Sequence, residues 1–239
     1  MGNFNNLPSD IVLDIITRLP TESVLECKLV CNPWRNLVSH HPLFSQMHLT
    51  HLNQSVDSAG KFGYLVRAKN YQLHYFEYNE SHDETPIHGT RRINFTPPFR
   101  YPYNYQVIGS FNGLVCLYGH GDHPACIFNP VTKEYVVLPK IERDSEDKYF
   151  YWASGFGYVP STNEYKVVQL YNLKAELNVM EVAVYTLGSG NGWRNIGRLD
   201  SKTRMYVADL YMNGALYWKE ALNKYNGELH LGEKVGRLY

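Results

Sequence analysis

The chain has no excess charge of either sign: 23 Lys and Arg are balanced by 23 Asp and Glu over 239 residues. That excludes a nucleic-acid binder driven by bulk positive charge and a polybasic membrane-surface protein. There is no run of 18 apolar residues, so no helical membrane span is expected. The opening, Met1 to Ile16, lacks a basic segment followed by a purely apolar one, so it does not read as a secretory leader. Four cysteines, Cys27, Cys31, Cys116 and Cys126, are too few for a disulfide scaffold of this length, and reduced thiols in the cytoplasm or nucleus are expected. No Gly-x-Ser-x-Gly, no His-Glu-x-x-His and no Gly-Gly pair occurs.

What is abundant is tyrosine (20), glycine (18) and proline (12), with 44% hydrophobic and 19% charged residues. This describes a globular chain rich in strands and turns. The length suits one large domain or two small ones.

Two halves show different periods. Residues 7 to about 49 read as short helices. Pro8 opens the first, which carries Ile11, Val12, Leu13, Ile15, Ile16 and Leu19 before Pro20 stops it. Thr21 is the expected N-cap of a second helix with Val24, Leu25, Leu29 and Val30. Asn32, followed by Pro33, is the expected N-cap of a third with Trp34, Leu37 and Val38. Pro42, Leu43 and Phe44 begin a last short element. The first helix is apolar over more than the ~100° stripe that a self-contained bundle needs. Some forty residues cannot bury all of that internally. Either the rest of the chain covers the excess, or a separate partner subunit does.

From about residue 62 the pattern is β. Strands are expected at 64–68, 72–78, 105–110, 113–118, 125–129, 134–138, 165–171, 179–187, 193–196, 207–211 and 215–219. Their regular spacing suggests a sandwich, barrel or propeller. A repeat favours the propeller. Ser110-Phe111-Asn112-Gly113-Leu114-Val115-Cys116-Leu117 returns as Tyr211-Met212-Asn213-Gly214-Ala215-Leu216-Tyr217-Trp218, roughly 100 residues later and so two units of about 50, the spacing of kelch blades. Asn-Gly between apolar runs is a tight-hairpin signal, because both residues accept positive φ.

Other clusters carry weaker chemistry. His120-Gly121-Asp122-His123 offers metal-ligand types without a third identifiable ligand and reads as a solvated loop. Cys27 and Cys31 lack the two further ligands a zinc site needs. Gly188 to Gly192 resembles a phosphate cradle but lacks the Gly-Lys-Ser/Thr ending and precedes a strand, so it reads as a turn. Glu142 to Lys148 reads as a solvated charged loop. Tyr101, Tyr103 and Tyr105, beside Pro97-Pro98, are candidates for a recognition surface, since tyrosine is favoured at interfaces.

Leu7 to Pro20, Leu29-Val30-Cys31-Asn32-Pro33-Trp34-Arg35 and Pro42-Leu43-Phe44 resemble the F-box, most closely that of the large plant F-box group. Gly109 to Val115, Asn129-Pro130 through Leu138-Pro139, Gly155-Phe156-Gly157-Tyr158, Val184 to Arg194 and Asn213 to Trp218 resemble the F-box-associated, kelch-related domain of the same group. The resemblance implies an α+β chain. A three-to-four-helix F-box (1–49) would be followed, after a linker (50–62), by an all-β propeller-like domain (63–239), which reads as truncated and incomplete with at least one open edge. It also implies a substrate-recognition subunit of an SCF-type ubiquitin ligase. The F-box would bind a Skp-type adaptor and, through it, cullin and RING subunits. The β domain would bind a protein substrate that the residues do not identify. No catalysis, cofactor, metal, nucleic acid or membrane is implied. Alternatives are an F-box scaffold or adaptor competitor acting outside a ligase, and a propeller-type enzyme or lectin. By match to the motif, Leu7, Pro8, Ile11, Ile15, Leu19, Pro20, Leu29, Val30, Cys31, Trp34 and Leu37 lie in or just beneath the adaptor interface, with Trp34 the leading hot spot. Asn32 and Pro33 depart from the motif, which usually has a basic residue at the first of these positions. Gly232 to Arg237 does not read as a family strand.

Overall fold

A computed structural model describes residues 7–54, 61–68, 72–79, 87–96, 105–119, 124–141, 149–173, 179–200, 204–212, 215–221 and 231–237. His120 to His123, Glu142 to Lys148, Pro97-Pro98, Tyr101, Tyr103 and Asn213-Gly214 lie outside the described residues. The chain divides into two compact units, Met1–Phe95 and Thr96–Tyr239.

The first unit begins with four helices, α1 (Ser9–Thr17), α2 (Thr21–Val30), α3 (Asn32–His40) and α4 (Phe44–Gln54). The helix starts fall one residue earlier than Thr21 and Asn32 suggest. Pro20 and Cys31 occupy the N-cap positions, and Thr21 and Asn32 are the first helical residues. A cap residue needs non-helical backbone, which Pro20 (φ −55°, ψ 149°) and the extended Cys31 supply. Pro8 does the same for α1, its carbonyl accepting from the Val12 N–H at 3.1 Å. The helical core is Val12, Leu13, Ile16, Val24, Cys27 and Phe44, with Leu19, Trp34, Leu37, Val38 and Met47 packed against it. A three-stranded antiparallel meander follows in this unit, β1 (Lys61–Arg67), β2 (Leu73–Asn79) and β3 (Ile87–Ile93).

The second unit is all β. Strands β4 (Tyr105–Phe111), β5 (Leu114–Gly119), β6 (Ala125–Phe128) and β7 (Tyr135–Val137) form one meander. Strands β8 (Tyr149–Val159), β9 (Glu164–Leu173), β10 (Val179–Thr186) and β11 (Trp193–Asp200) form a second. Strands β12 (Arg204–Met212), β13 (Ala215–Ala221) and β14 (Leu231–Arg237) form a third. The first strands, β4, β8 and β12, lie against one another, so each meander fans outward from a shared centre as propeller blades do. Among the described residues no sheet closes on itself, and the array is propeller-like and incomplete, as the sequence suggests. Its open edges include β7, whose Tyr135, Val136 and Val137 are all exposed.

The hairpin signals are met in the backbone. Asn112 (φ 51°) and Gly113 (φ 79°) turn β4 into β5 with both residues left-handed. Phe111 pairs with Leu114, and Met212 pairs with Ala215 at the repeat-related place. Asn129 organises the β6–β7 turn, its Oδ1 accepting from the Val131 and Thr132 N–H groups at 2.9 and 3.2 Å.

Three strands escape the sequence reading. β14, paired with β13 along its whole length, makes Gly232 to Arg237 part of a strand, although not one that reads as a family strand. β3 and β8 are also strands. All three are poor in alternation: β14 and β8 each carry two glycines inside, and β3 is rich in Arg and His. Pairing with a ready-made neighbour settles them, which overrides local propensity.

Blades β4–β7 and β8–β11 share one core of Ile108, Cys116, Tyr118, Ala125, Ile127, Leu138, Phe156 and Val167. Two hydrogen bonds tie the blades at their margins. The Asn112 Nδ2 donates to the Tyr165 hydroxyl at 3.0 Å, and the Trp193 indole donates to the Pro139 carbonyl at 2.7 Å. All four cysteines are free. Burial raises the Cys116 thiol well above its ordinary value and pushes Cys126 up to about 12. Both thiols are therefore unreactive at neutral pH while the blade is folded. Alkylation of the native protein at about pH 8 will leave both unmodified, and denaturant will release them together. Rapid native labelling of either, read by mass spectrometry, would contradict this packing.

Candidate functional site

At 3.6 residues per turn, α1 separates its apolar residues onto two sides. Val12, Leu13 and Ile16 are buried, whereas Pro8, Ile11 and Ile15 share the other side and face solvent. Ile11 is 46% and Ile15 42% exposed, and Leu7, just ahead of the helix, is also exposed. The helical core is complete without them. A second apolar exposure stands at the end of α2, where Leu29 is 79% and Val30 63% exposed. Pro20 is exposed and Cys31 half-buried. The other three motif residues, Leu19, Trp34 and Leu37, are half-buried against the helical core and so help build the unit that displays the rest. Leu43 and Leu52 are further exposed apolar side chains. The sequence offered a signal for Leu43, which stands between Pro42 and the buried Phe44.

Polar contacts fix how the helices present these residues. His48 of α4 reaches two other helices. Its Nδ1 lies 2.9 Å from the Thr17 carbonyl at the end of α1, and its Nε2 lies 3.4 Å from the Thr21 hydroxyl at the start of α2. A neutral ring with the proton on Nδ1 donates to the carbonyl and accepts from the hydroxyl. The ring also stacks on Phe44, centroids 5.8 Å apart. At the end of α1, Arg18 grips the Asp14 carboxylate with its Nε and one terminal nitrogen at 2.9 to 3.2 Å. Those hydrogen bonds hold the Asp14 carboxyl below its ordinary range. Both side chains are solvent-exposed, so the pair adds little stability.

Among the described residues of the β sheets, the exposed apolar side chains, such as Tyr135, Val136 and Val137 of β7, lie on strands and not on a helix. Glu181 is buried in β10, where its Oε2 accepts from the Tyr171 hydroxyl at 2.9 Å and from Asn195 Nδ2 at 3.0 Å, while Oε1 accepts from Arg198 at 2.9 Å. This is a satisfied buried carboxylate. The Gly188 to Gly192 segment forms the β10–β11 turn, with Gly188, Gly190 and Gly192 left-handed and the Ser189 hydroxyl donating to the Thr186 carbonyl. Tyr105 is 1% exposed, which corrects its candidacy for a recognition surface: it points inward from β4 as a core residue. Among the described residues no three His, Cys, Asp or Glu side chains gather as a metal cluster, and no helix is long and apolar enough to cross a membrane.

Comparison with known proteins finds two family matches along the chain. Residues 4–46 match the model of the F-box domain, and residues 64–229 match that of the F-box associated beta propeller domain. An F-box/kelch-repeat protein of Arabidopsis thaliana is 28% identical over 222 residues, covering 90% of this chain and 58% of its own length. A second Arabidopsis thaliana F-box protein is 24% identical over 241 residues, covering 91% of this chain and 54% of its own. The F-box protein DOR of the same plant is 26% identical over 238 residues, covering 95% and 58%. The chain thus spans a little over half the length of these relatives. The four-helix start, the fanning meanders and the match through most of the β region lead to one assignment: the chain belongs to the F-box associated beta propeller family and carries an F-box domain ahead of that region.

Proposed function

We propose that this chain is a substrate-recognition subunit of an SCF-type cullin-RING ubiquitin ligase. The F-box region, residues 1–49, docks on a Skp-type adaptor that joins cullin and RING subunits. The β region, residues 63–239, holds a protein target, with 50–62 as the link. The observation that carries the reading is the outward apolar set Ile11, Ile15, Leu29 and Val30 on a helical unit whose own core is already filled. Exposed apolar area of this kind, displayed by a small domain, marks a protein partner. The chain acts without chemistry of its own, by holding a target lysine near the charged ubiquitin-conjugating enzyme, and the rate gain is proximity. We place it in the cytoplasm or nucleus, and four free thiols are in keeping with a reducing compartment.

The direct test is capture of a recombinant Skp-type adaptor by the whole chain. The wild-type protein will retain the adaptor and, when it is added, cullin. Leu7→Ala combined with Pro8→Ala will reduce capture severalfold, since both residues are exposed at the head of α1 and serve no helical core. Undiminished capture by the double variant would remove this end of α1 from the interface.

A further inference from the structure

The corner between α2 and α3 is held by an unusual arrangement. Cys31 alone joins the two helices. The last carbonyls of an α-helix have no donors within the helix. Often a left-handed residue closes the end, its N–H folding back on the last turn. Cys31 is extended instead, at φ −161° and ψ 163°. Arg35, one turn into α3, takes over that task. Its Nε donates to the Lys28 carbonyl at 3.1 Å, while its backbone N–H donates to the Cys31 carbonyl at 3.0 Å. One residue therefore ties the last turn of α2 to the first turn of α3. Its guanidinium also sets positive charge at a helix C-terminus, where the peptide dipoles favour it.

Leu29 and Val30 stand at this corner, and no other large apolar side chain among the described residues is more exposed. Their display depends on the last turn of α2 keeping its helical path, and among the described residues they are too exposed for packing to enforce it. We infer that Arg35 is a positioning residue for adaptor docking: through the Lys28 carbonyl it holds the Leu29–Val30 corner in its binding-ready form before the adaptor arrives. The inference rests on the adaptor-docking function proposed above. Loss of the clip lowers the fraction of molecules with a competent corner, and apparent affinity falls by that fraction.

Two substitutions isolate the donor. Arg35→Met keeps the length of the stem without a donor. Arg35→Gln places an amide nitrogen the same number of bonds from the backbone as the arginine Nε, without charge. Binding of the full chain to an immobilised Skp-type adaptor, followed in real time, separates the rates. Arg35→Met will weaken binding about five- to tenfold, as expected for one lost hydrogen bond. The loss will lie in the association rate, whereas removal of a direct contact chiefly raises the dissociation rate. Arg35→Gln will associate at close to the wild-type rate. Wild-type kinetics for Arg35→Met, a change confined to dissociation, or an Arg35→Gln association rate as slow as that of a donorless variant would each overturn the inference and leave the docking function standing. Failure of the wild-type chain to bind any Skp-type adaptor would instead overturn the docking function itself. If Arg35→Met does not fold, Arg35→Leu, which also lacks a donor, takes its place in the comparison.

Discussion

Replacing Ile11 and Ile15 together by glutamate will abolish adaptor capture, weakening affinity by about 100-fold or more, and will leave the helical unit folded. Both side chains are nearly half exposed and lie outside the helical core, so the free protein loses little. Glutamate is a good helix former, and the like charges four residues apart cost only a few tenths of a kcal/mol. In the complex the same carboxylates would be buried without partners, which costs several kcal/mol, and about 2.7 kcal/mol is already 100-fold. The contrast on the same helix is Ile16→Glu. Ile16 is almost wholly buried, so that change will unfold the unit rather than spare it. Titration calorimetry with the adaptor and a thermal melt of the free chain distinguish the two. Binding within threefold of wild type by the folded Ile11/Ile15 variant would exclude the outer side of α1 from the interface.

The largest effect on the β unit will come from Phe156→Ala, with a loss of about 3–5 kcal/mol. Phe156 is fully buried between two blades, edge-on to Phe111 at 5.8 Å and stacked on Tyr165 at 6.0 Å. The cavity will not collapse readily. Gly109 of β4 already lies so close that a Cβ there would sit 3.0 Å from the Phe156 Cβ and 3.1 Å from its carbonyl oxygen. Backbones in contact leave the walls little room to move inward, which places the cost toward the top of the range. With domain stabilities of about 5–15 kcal/mol, the unit will be marginal, and its melting temperature will fall by roughly 10–20 °C. Ile196→Ala is the control, because Ile196 is more than half exposed and its truncation will hardly matter. Equal melting of the two variants would show that the shared core does not carry the unit.

The two halves of the chain were legible to different degrees. Proline punctuation and 3.6-residue spacing located the helices, and the same period explains why Ile11 and Ile15 face out while Val12, Leu13 and Ile16 face in. A motif match identifies residues but not their burial, so it could not part Leu19, Trp34 and Leu37 from Leu29 and Val30. That parting depends on how α3 packs on α2 and α4, and α4 on α1. Asn112-Gly113 announced its hairpin because the turn chemistry is local. β8 did not announce itself, because Gly155 and Gly157 weaken its propensity and its partner β9 supplies the order. Tyr105 looked like a surface aromatic among prolines and tyrosines and is instead a core residue of the innermost strand. The Arg35 to Lys28 bond and the donors around Glu181 had no local signal at all. The first needs the angle of a one-residue corner, and the second needs the register of β10 between β9 and β11, including the bulge beside Val182.

The fanning order of the meanders also bears on how the chain is made. Each sheet is built from strands consecutive in sequence, and the core shared by β4–β7 and β8–β11 draws only on neighbouring blades. These contacts span one blade, with the tying hydrogen bonds 53 and 54 residues apart in sequence, and every residue of the shared core lies at or before Trp193. During synthesis the pair can therefore close once Trp193 has emerged from the ribosome, so that apolar surface is covered nearly as fast as it appears. A blade that has just emerged waits only for the next to cover its apolar face, while outer edges such as β7 stay exposed in the folded unit.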